Sequence, residues 1–205
     1  MGSSAFILIE REKYTPEKLL GDAIVAAFHA DAGLYFDNDK KYKNEQFFST
    51  TLNISYNPLG AENNQQFIFY IDGIDNYEIN YEHDEDISGL DSSLSLYQVG
   101  CIEDVYGVEE LIFRFIYEYL KLNPTDYFWI PDYDWVYSWE DMQKFRSLPY
   151  DPNWAIKILN QYNSQQLINI YKLAPLTVKW EQAFFIVIYL IKKIICMHLR
   201  IKRRV

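Results

Sequence analysis

The sequence predicts an α+β fold, in which an antiparallel meander of four to five strands packs on helices and a helical C-terminal extension follows. Two observations support this prediction. The 205 residues are 49% hydrophobic and 18% aromatic, which is enough to bury a sizeable core. The spacing of apolar residues also changes along the chain, from helical near the N-terminus to alternating in the middle and back to helical.

The N-terminal region predicts a strand followed by a helix. The run AFILIE (Ala5–Glu10) is short and apolar, as a buried strand is. Thr15 is a favourable N-cap residue and Pro16 suits the first helical position. One apolar face of this helix is predicted to pack inward, and its members are Leu20, Ile24, Ala27 and Phe28.

Residues 44–99 are predicted to form the meander. Four segments are rich in β-forming residues and are separated by turn compositions: FFSTTLNISY, QFIFYID, NYEINYEHD and SSLSLYQVG. The third segment alternates, so its two sets of side chains are predicted to face opposite sides. One set is Tyr77, Ile79 and Tyr81, and the other is Glu78, Asn80 and Glu82.

A second helix and a hairpin are predicted after the meander. Apolar residues at helical spacing predict an amphipathic helix over residues 108–122, which ends before Pro124. Residues 128–130 and 135–137 are predicted as short strands around the turn PDYD. Ser138 then begins SWED, a capping pattern that predicts a further helix from about Trp139.

Charge is divided along the chain, whose net charge is −10 at pH 7. Residues 72–141 hold 18 Asp or Glu against two basic residues, whereas residues 151–205 hold nine Lys or Arg against two acidic ones. An acidic field of this strength repels nucleic acid and attracts basic proteins. We therefore predict an acidic α+β domain over residues 1–150, a basic helical extension over residues 151–205 packed on it, and a basic protein, not a nucleic acid, as partner.

The sequence contains no recognisable catalytic or metal-binding motif. Cys101 and Cys196 stand far apart and the three His are widely spread, so neither a disulfide framework nor a zinc site is predicted. The run EHDED (residues 82–86) lacks the spacing of a calcium loop and is interpreted as a charged hairpin loop. We expect a protein that is not an enzyme and needs no metal or cofactor, with a small carboxylate-using enzyme as the alternative.

Two segments bear on cellular location. The N-terminal residues lack the basic region of a secretory signal, so a cytoplasmic location is expected. Residues 183–199 form an apolar run that contains Lys192 and Lys193, and a lysine at a bilayer centre costs about 2.5–3.5 kcal/mol. A soluble terminal helix is therefore favoured, and membrane contact through it is the alternative.

The strongest functional signal is the stretch DYFWIPDYDWVYSWEDMQKF (residues 126–145), which holds eight aromatic residues and five carboxylates. Aromatic anchors among carboxylates are typical of a surface that binds a basic protein. Trp129 and Trp135 are expected to point inward and the predicted turn to be exposed. The candidate partner-binding residues are Asp132, Tyr133, Asp134 and Tyr137, together with Glu82, Asp84, Glu85 and Asp86 from the acidic loop.

The order YEYLKLNPTDYFWIPDYDWVYSWEDMQKF, followed by LPYDPNW, resembles small bacterial immunity proteins. These proteins neutralise the toxins of polymorphic and secretion-delivered antibacterial systems. The resemblance covers about residues 108–154 and lies in their acidic, aromatic character and in the motif-free, single-domain chain around them. It implies stoichiometric occlusion of a cognate toxin without turnover. The alternatives are a carboxylate-using enzyme and a membrane-associated regulator that acts through the C-terminal apolar helix.

Overall fold

The computed structural model describes residues 4–43, 46–57, 65–76, 79–82, 90–105, 107–131, 135–151 and 154. Within them an antiparallel sheet packs on helices, which confirms the predicted α+β class. The helices are α1 (Pro16–His29), α2 (Glu109–Leu122) and α3 (Trp139–Arg146). The strands are β1 (Ala5–Glu10), β2 (Gly33–Lys43), β3 (Gln46–Ser55), β4 (Gln66–Asp72), β5 (Leu96–Glu103), β6 (Tyr127–Ile130) and β7 (Trp135–Tyr137).

The described strands form one seven-stranded sheet in the order β2-β3-β4-β5-β1-β6-β7. Strands β2 to β5 make an antiparallel meander, which confirms the predicted class of sheet but not all of its predicted members. The N-terminal strand β1 lies between β5 and β6, where Ile7 is opposite both Val99 and Phe128. The sheet is therefore larger than the predicted four to five strands, because β1 joins the meander to the β6–β7 hairpin.

Two strand assignments differ from the prediction. Strand β2 was not predicted, because GLYFDNDKKYK is rich in charged residues; it forms a sheet edge, where charges discourage pairing with other chains. The described part of the third predicted segment makes only an isolated bridge, between Asn80 and Tyr97. Its predicted alternation is nevertheless confirmed there, because Ile79 and Tyr81 are buried while Asn80 and Glu82 are exposed.

One face of the sheet packs against helices α1 and α2 and forms the larger core. The rings of Phe67 and Phe69 on β4 contact the ring of Phe115 on α2, with centroid distances of 5.4 and 5.3 Å. All three side chains are fully buried. Edge-to-face contacts of this kind add about 0.5–1.5 kcal/mol per pair beyond the apolar area that they bury.

The opposite face carries a smaller core beneath the segment that precedes β5. Its buried members are Leu8, Tyr81, Leu96 and Val136, and the partly buried side chains packed against them are Leu90, Leu94, Tyr127 and Trp129. The part of the sheet formed by β5, β1, β6 and β7 is therefore covered on both faces. This explains why β1 reads as a continuous apolar run rather than as an alternating one.

The buried face of α1 differs from the predicted one. Ile24 is exposed and Phe28 is 79% exposed, so the predicted inward position of these two residues was wrong, whereas Ala27 is buried as predicted. Apart from Pro16, the buried helical residues are Leu19, Ala23, Ala26 and Ala27. Small alanine side chains let α1 approach α2 and strands β2, β3 and β4 closely, whereas the sequence pattern gives more weight to large apolar residues.

The predicted helix starts are confirmed. The side chain of Thr15 accepts a hydrogen bond from the backbone N–H of Lys18 at 3.3 Å, and Pro16 is the first helical residue. Ser138 and Asp141 form a capping box on α3, with N–H to side-chain oxygen distances of 3.3 and 3.1 Å. Each cap stabilises its helix by about 1 kcal/mol.

The chain divides into two compact units, Met1–Ile156 and Lys157–Val205, and every described residue belongs to the first. None of the helices in this described part is long and apolar enough to cross a membrane. The predicted helical extension over residues 151–205 lies outside the described residues, apart from Asp151 and Trp154. Its packing and its alternative role at a membrane stay predictions.

Candidate functional site

The β6–β7 hairpin sends its aromatic side chains to both faces of the sheet. Phe128 and Tyr137 lie opposite each other in the ladder and are fully buried on the face that packs against the helices. Trp129 lies opposite Val136 on the other face, where its ring contacts that of Tyr81 at a centroid distance of 5.2 Å. Most aromatic residues of this hairpin therefore build the two cores.

The prediction that Tyr137 contacts a partner was wrong, because its side chain is 0% exposed. Its ring packs against Phe128, Phe145 and Trp154, with centroid distances of 6.1, 6.1 and 5.7 Å. The ladder with β6 fixes the alternation of β7 and so turns this ring inward. Trp135 is buried as well, as predicted. A partner reaches Tyr137 only if the hairpin opens.

Two carboxylates of the same stretch have partners within the fold. Asp141 closes the capping box of α3 and pairs with Lys144 at 3.2 Å. Asp126 accepts a hydrogen bond from the hydroxyl of Tyr119 at 2.9 Å. The other candidate residues of the turn and the acidic loop lie outside the described residues: Asp132, Tyr133, Asp134, Asp84, Glu85 and Asp86.

Tyr127 lies on the face of the sheet opposite the helices, and three other carboxylates lie within electrostatic reach of it. They are Glu10 at the end of β1, Asp91 before β5, and Glu140 in the first turn of α3. Burial raises the pKa of the Tyr127 hydroxyl, and these three negative charges raise it further, while Lys13 lowers it. We call Glu10, Asp91, Tyr127 and Glu140 the acidic patch.

Glu82 is the one predicted site residue that the described part of the chain shows as exposed. It follows Tyr81, whose ring contacts Trp129 on the face that carries the acidic patch. Glu82 is thus the exposed neighbour in sequence of a side chain that packs on that face. The four members of the patch were not predicted as site residues, and Glu140 was interpreted only as part of a helix start. No sequence signal joins them, because four separate segments meet only through the order of the strands.

A cleft of about 380 Å³ lies where the loop after β1 meets the end of α2 and the turn before β6. It is a second candidate site, separate from the acidic patch in its lining residues. Its walls include the apolar side chains of Ile9, Leu19 and Leu122 and the polar ones of Lys13, Lys18, Asn123 and Asp126. We call it the Asp126 cleft, because Asp126 is the one carboxylic acid among its described lining residues.

Asp126 combines burial with a perturbed carboxyl group. Its side chain is 5% exposed, and burial raises the pKa of the carboxyl from 3.8 to about 6. The hydrogen bond from Tyr119 and the nearby charges of Lys18 and Lys13 lower the pKa without offsetting the burial. Burial and the neighbouring Asp126 also raise the pKa of the Tyr119 hydroxyl, so that this hydroxyl stays protonated and donates.

Replacing Asp126 with Asn should make the protein more stable at neutral pH. The folded-state pKa of about 6 lies above the ordinary value of 3.8, so this group stabilises the fold below about pH 4 and loses that contribution as the pH rises through 6. Asn keeps an acceptor for Tyr119 without the buried charge. At pH 7.5 we expect the free energy of unfolding of Asp126→Asn to exceed that of the wild type by about 1–3 kcal/mol.

Urea unfolding of both proteins between pH 4 and pH 8 measures this difference. Subtracting the two free energies of unfolding at each pH cancels the titration of all other groups. The advantage of the variant should grow as the pH rises from 4 to 7. A wild type that gains stability relative to Asp126→Asn over this range would contradict the raised pKa.

The Asp126 cleft offers little of the geometry that acid–base catalysis uses. The Asp126 cleft holds a single carboxyl among them, whereas general acid–base catalysis commonly pairs two titrating groups. No cluster of three or more His, Cys, Asp or Glu in the described part is placed to hold a metal ion. Burial raises the pKa of the Cys101 thiol to about 11, which disfavours the reactive thiolate at neutral pH.

The structure thus brings two groups of residues together, the acidic patch and the Asp126 cleft. Both are assembled from segments that are distant in sequence. The patch offers charge and a half-buried ring at a surface, and the cleft offers one buried carboxyl at its wall. Comparison of the chain with protein-family models, curated proteins and solved structures finds no match.

Proposed function

We propose that this chain is an immunity-type binding protein that neutralises a cognate antibacterial toxin, one to one, by covering it with the acidic patch. The observation that carries the proposal is that Glu10, Asp91 and Glu140, from three separate segments, lie near enough to the half-buried Tyr127 for their charges to raise the pKa of its hydroxyl. A ring held among carboxylates offers contact area at low entropy cost and pairs with basic side chains. The resemblance of residues 108–154 to bacterial immunity proteins supplies the class of partner.

Exposed negative charge elsewhere on the described surface also favours a basic partner. Further carboxylates of residues 72–141 are exposed in the described part of the chain: Asp75, Glu82, Glu103, Asp104 and Glu110. A field of one sign raises the rate at which an oppositely charged protein associates, and salt screens it. The predicted cytoplasmic location belongs to the same proposal, because an immunity protein of this kind meets its toxin in the cell that it protects.

Reversing the charge of Glu140, a member of the patch, and of Glu82, the exposed residue of the predicted site, tests the proposal. Wild-type protein on a resin captures its partner from a lysate of the source organism, and mass spectrometry identifies it. Binding of the purified partner is then measured for the wild type and for the double variant Glu82→Lys with Glu140→Lys. We expect the dissociation constant to rise at least about tenfold, because like charges facing each other across an interface cost several kcal/mol.

A matched variant separates the patch from net charge. Asp75→Lys with Glu110→Lys changes the total charge equally, and Glu110 is the second residue of α2 as Glu140 is of α3. This variant should bind within about threefold of the wild type. If both double variants weaken partner binding equally, the total charge of the chain, and not the acidic patch, determines the binding. If the double variant Glu82→Lys with Glu140→Lys binds normally and circular dichroism shows an intact fold, the interface lies elsewhere.

A further inference from the structure

The two oxygens of the Asp126 carboxyl have different surroundings. Oδ2 accepts the hydrogen bond from the hydroxyl of Tyr119 at 2.9 Å. No donor among the described residues reaches Oδ1. Because the side chain is almost entirely buried, this second oxygen has lost most of the water that hydrates an exposed carboxylate. A charged donor at Oδ1 would replace that water with a short, strong hydrogen bond.

The two lysines of the cleft do not supply this donor, because each is paired with another carboxylate. Nζ of Lys13 lies 2.7 Å from Glu10, and Nζ of Lys18 lies 2.6 Å from Asp22. Nζ of Lys18 also donates a hydrogen bond to Oδ1 of Asn123. Both lysines are near enough to lower the pKa of Asp126, but neither donates a hydrogen bond to its carboxyl.

The remaining walls of the cleft suit an alkyl chain with a positive end. The apolar side chains of Ile9, Leu19 and Leu122 line it beside the carboxyl. Helix α2 ends here, and the carboxyl end of a helix favours a cation. Helix α1 begins here and would favour an anion, but the side chain of Thr15 already accepts from one of its first N–H groups.

We propose that the Asp126 cleft binds a cationic group on an alkyl chain, an ammonium or a guanidinium, whose N–H donates to Oδ1 of Asp126 while the alkyl chain packs on the apolar wall. Two kinds of molecule carry such a group: a bound protein, through a lysine or arginine side chain, and a free alkylamine. The proposal goes beyond the function proposed above and does not depend on it, because a small cation tests it without any partner protein.

Nuclear magnetic resonance of the whole chain tests the site with n-butylammonium chloride as the probe. The side-chain carboxyl carbon of Asp126 and the backbone amides of Asn123 and Thr125 should shift and saturate as the probe is added. Tetramethylammonium chloride, which has no N–H donor, should produce no saturable shift at the same ionic strength. Sodium butyrate carries a similar alkyl chain with a negative end and should not saturate either.

Two variants make the test specific. Asp126→Asn should raise the dissociation constant for n-butylammonium at least about tenfold, because a hydrogen bond to a charged group contributes that factor or more. Asp75→Asn removes an exposed carboxylate outside the cleft and should bind the probe like the wild type. No saturable shift in the wild type, equal binding by Asp126→Asn, or saturable binding of butyrate instead would each overturn the proposal.

The captured partner then distinguishes the two sources. If the cation belongs to the partner, Asp126→Asn also raises the dissociation constant of the partner at least about tenfold. If it belongs to a free amine, the variant binds the partner normally and loses only n-butylammonium. Both results support the cation site. If no partner is found, the probe titration still decides the proposal.

Discussion

Phe128→Ala is expected to lower the free energy of unfolding by about 3–5 kcal/mol. Phe128 is fully buried in the β6–β7 hairpin, and its ring packs against those of Tyr137 and Trp154, with centroid distances of 6.1 and 6.2 Å. Removing the ring leaves a cavity that the neighbouring rings fill only in part. The loss is large because the same cluster fixes the hairpin, the end of α3 and the segment after it.

Urea or thermal unfolding measures the loss, and Phe48→Ala is the matched control. Phe48 lies on β3 and is 46% exposed, so the same truncation there should cost less than about 1 kcal/mol. A loss below about 1 kcal/mol for Phe128→Ala would mean that the hairpin is not packed as described. Tyr137 would then become a candidate for the surface again.

Gly100→Ala is expected to lower the free energy of unfolding by about 2–5 kcal/mol. Gly100 has a φ of +58°, a left-handed conformation that costs a residue with a Cβ about 1–2 kcal/mol. A Cβ there would lie 2.6 Å from Cζ of Phe69 and 3.1 Å from Cγ1 of Ile7. Overpacking of this kind costs about 1–3 kcal/mol more, because Phe69 is itself held against Phe115.

Gly21→Ala should change the free energy of unfolding in the opposite direction. Gly21 lies inside α1, and no heavy atom lies within 4 Å of where its Cβ would be. The change should raise the free energy of unfolding by about 0.5–1 kcal/mol, since alanine favours the helix. A Gly100→Ala protein as stable as the wild type would contradict both the irregular course of β5 and its close contact with Phe69.

Local chemistry made part of this fold predictable. The starts of α1 and α3 depend on a few adjacent residues, Thr15 with Pro16 and Ser138 with Asp141, and such signals are complete within the sequence. The apolar stripe of α2 is equally local. The buried face of α1 was not predictable in this way. Its alanines are buried through close packing against α2 and the sheet, which the local sequence does not show.

The candidate site was less predictable, because contacts between segments that are distant in sequence create it. The alternation of side chains along β7 is set by its ladder with β6, and this ladder turned Tyr137 inward. The acidic patch exists because β1 enters the sheet next to β6, so that Glu10 comes near Tyr127. A resemblance in composition indicates neither of these placements.

The structure changes the interpretation of the dense aromatic stretch. Its rings are dense because the hairpin contributes to a core on each face of the sheet, and its carboxylates divide into buried and exposed groups. Asp126 and Asp141 serve within the fold, whereas Glu140 remains exposed. The proposed binding function therefore depends on the carboxylates near one half-buried ring, of which Asp91 and Glu140 are exposed, and less on the aromatic content.

Titrating the activity of the captured partner with the purified chain tests the central claim most directly. If the chain is a stoichiometric inhibitor, the activity should fall linearly and reach zero at one chain per partner. The end point should move to higher ratios for Glu82→Lys with Glu140→Lys, while Asp75→Lys with Glu110→Lys should leave it in place. A partner that stays active at several-fold excess of the chain, or a partner that the chain modifies at substoichiometric amounts, would contradict the account.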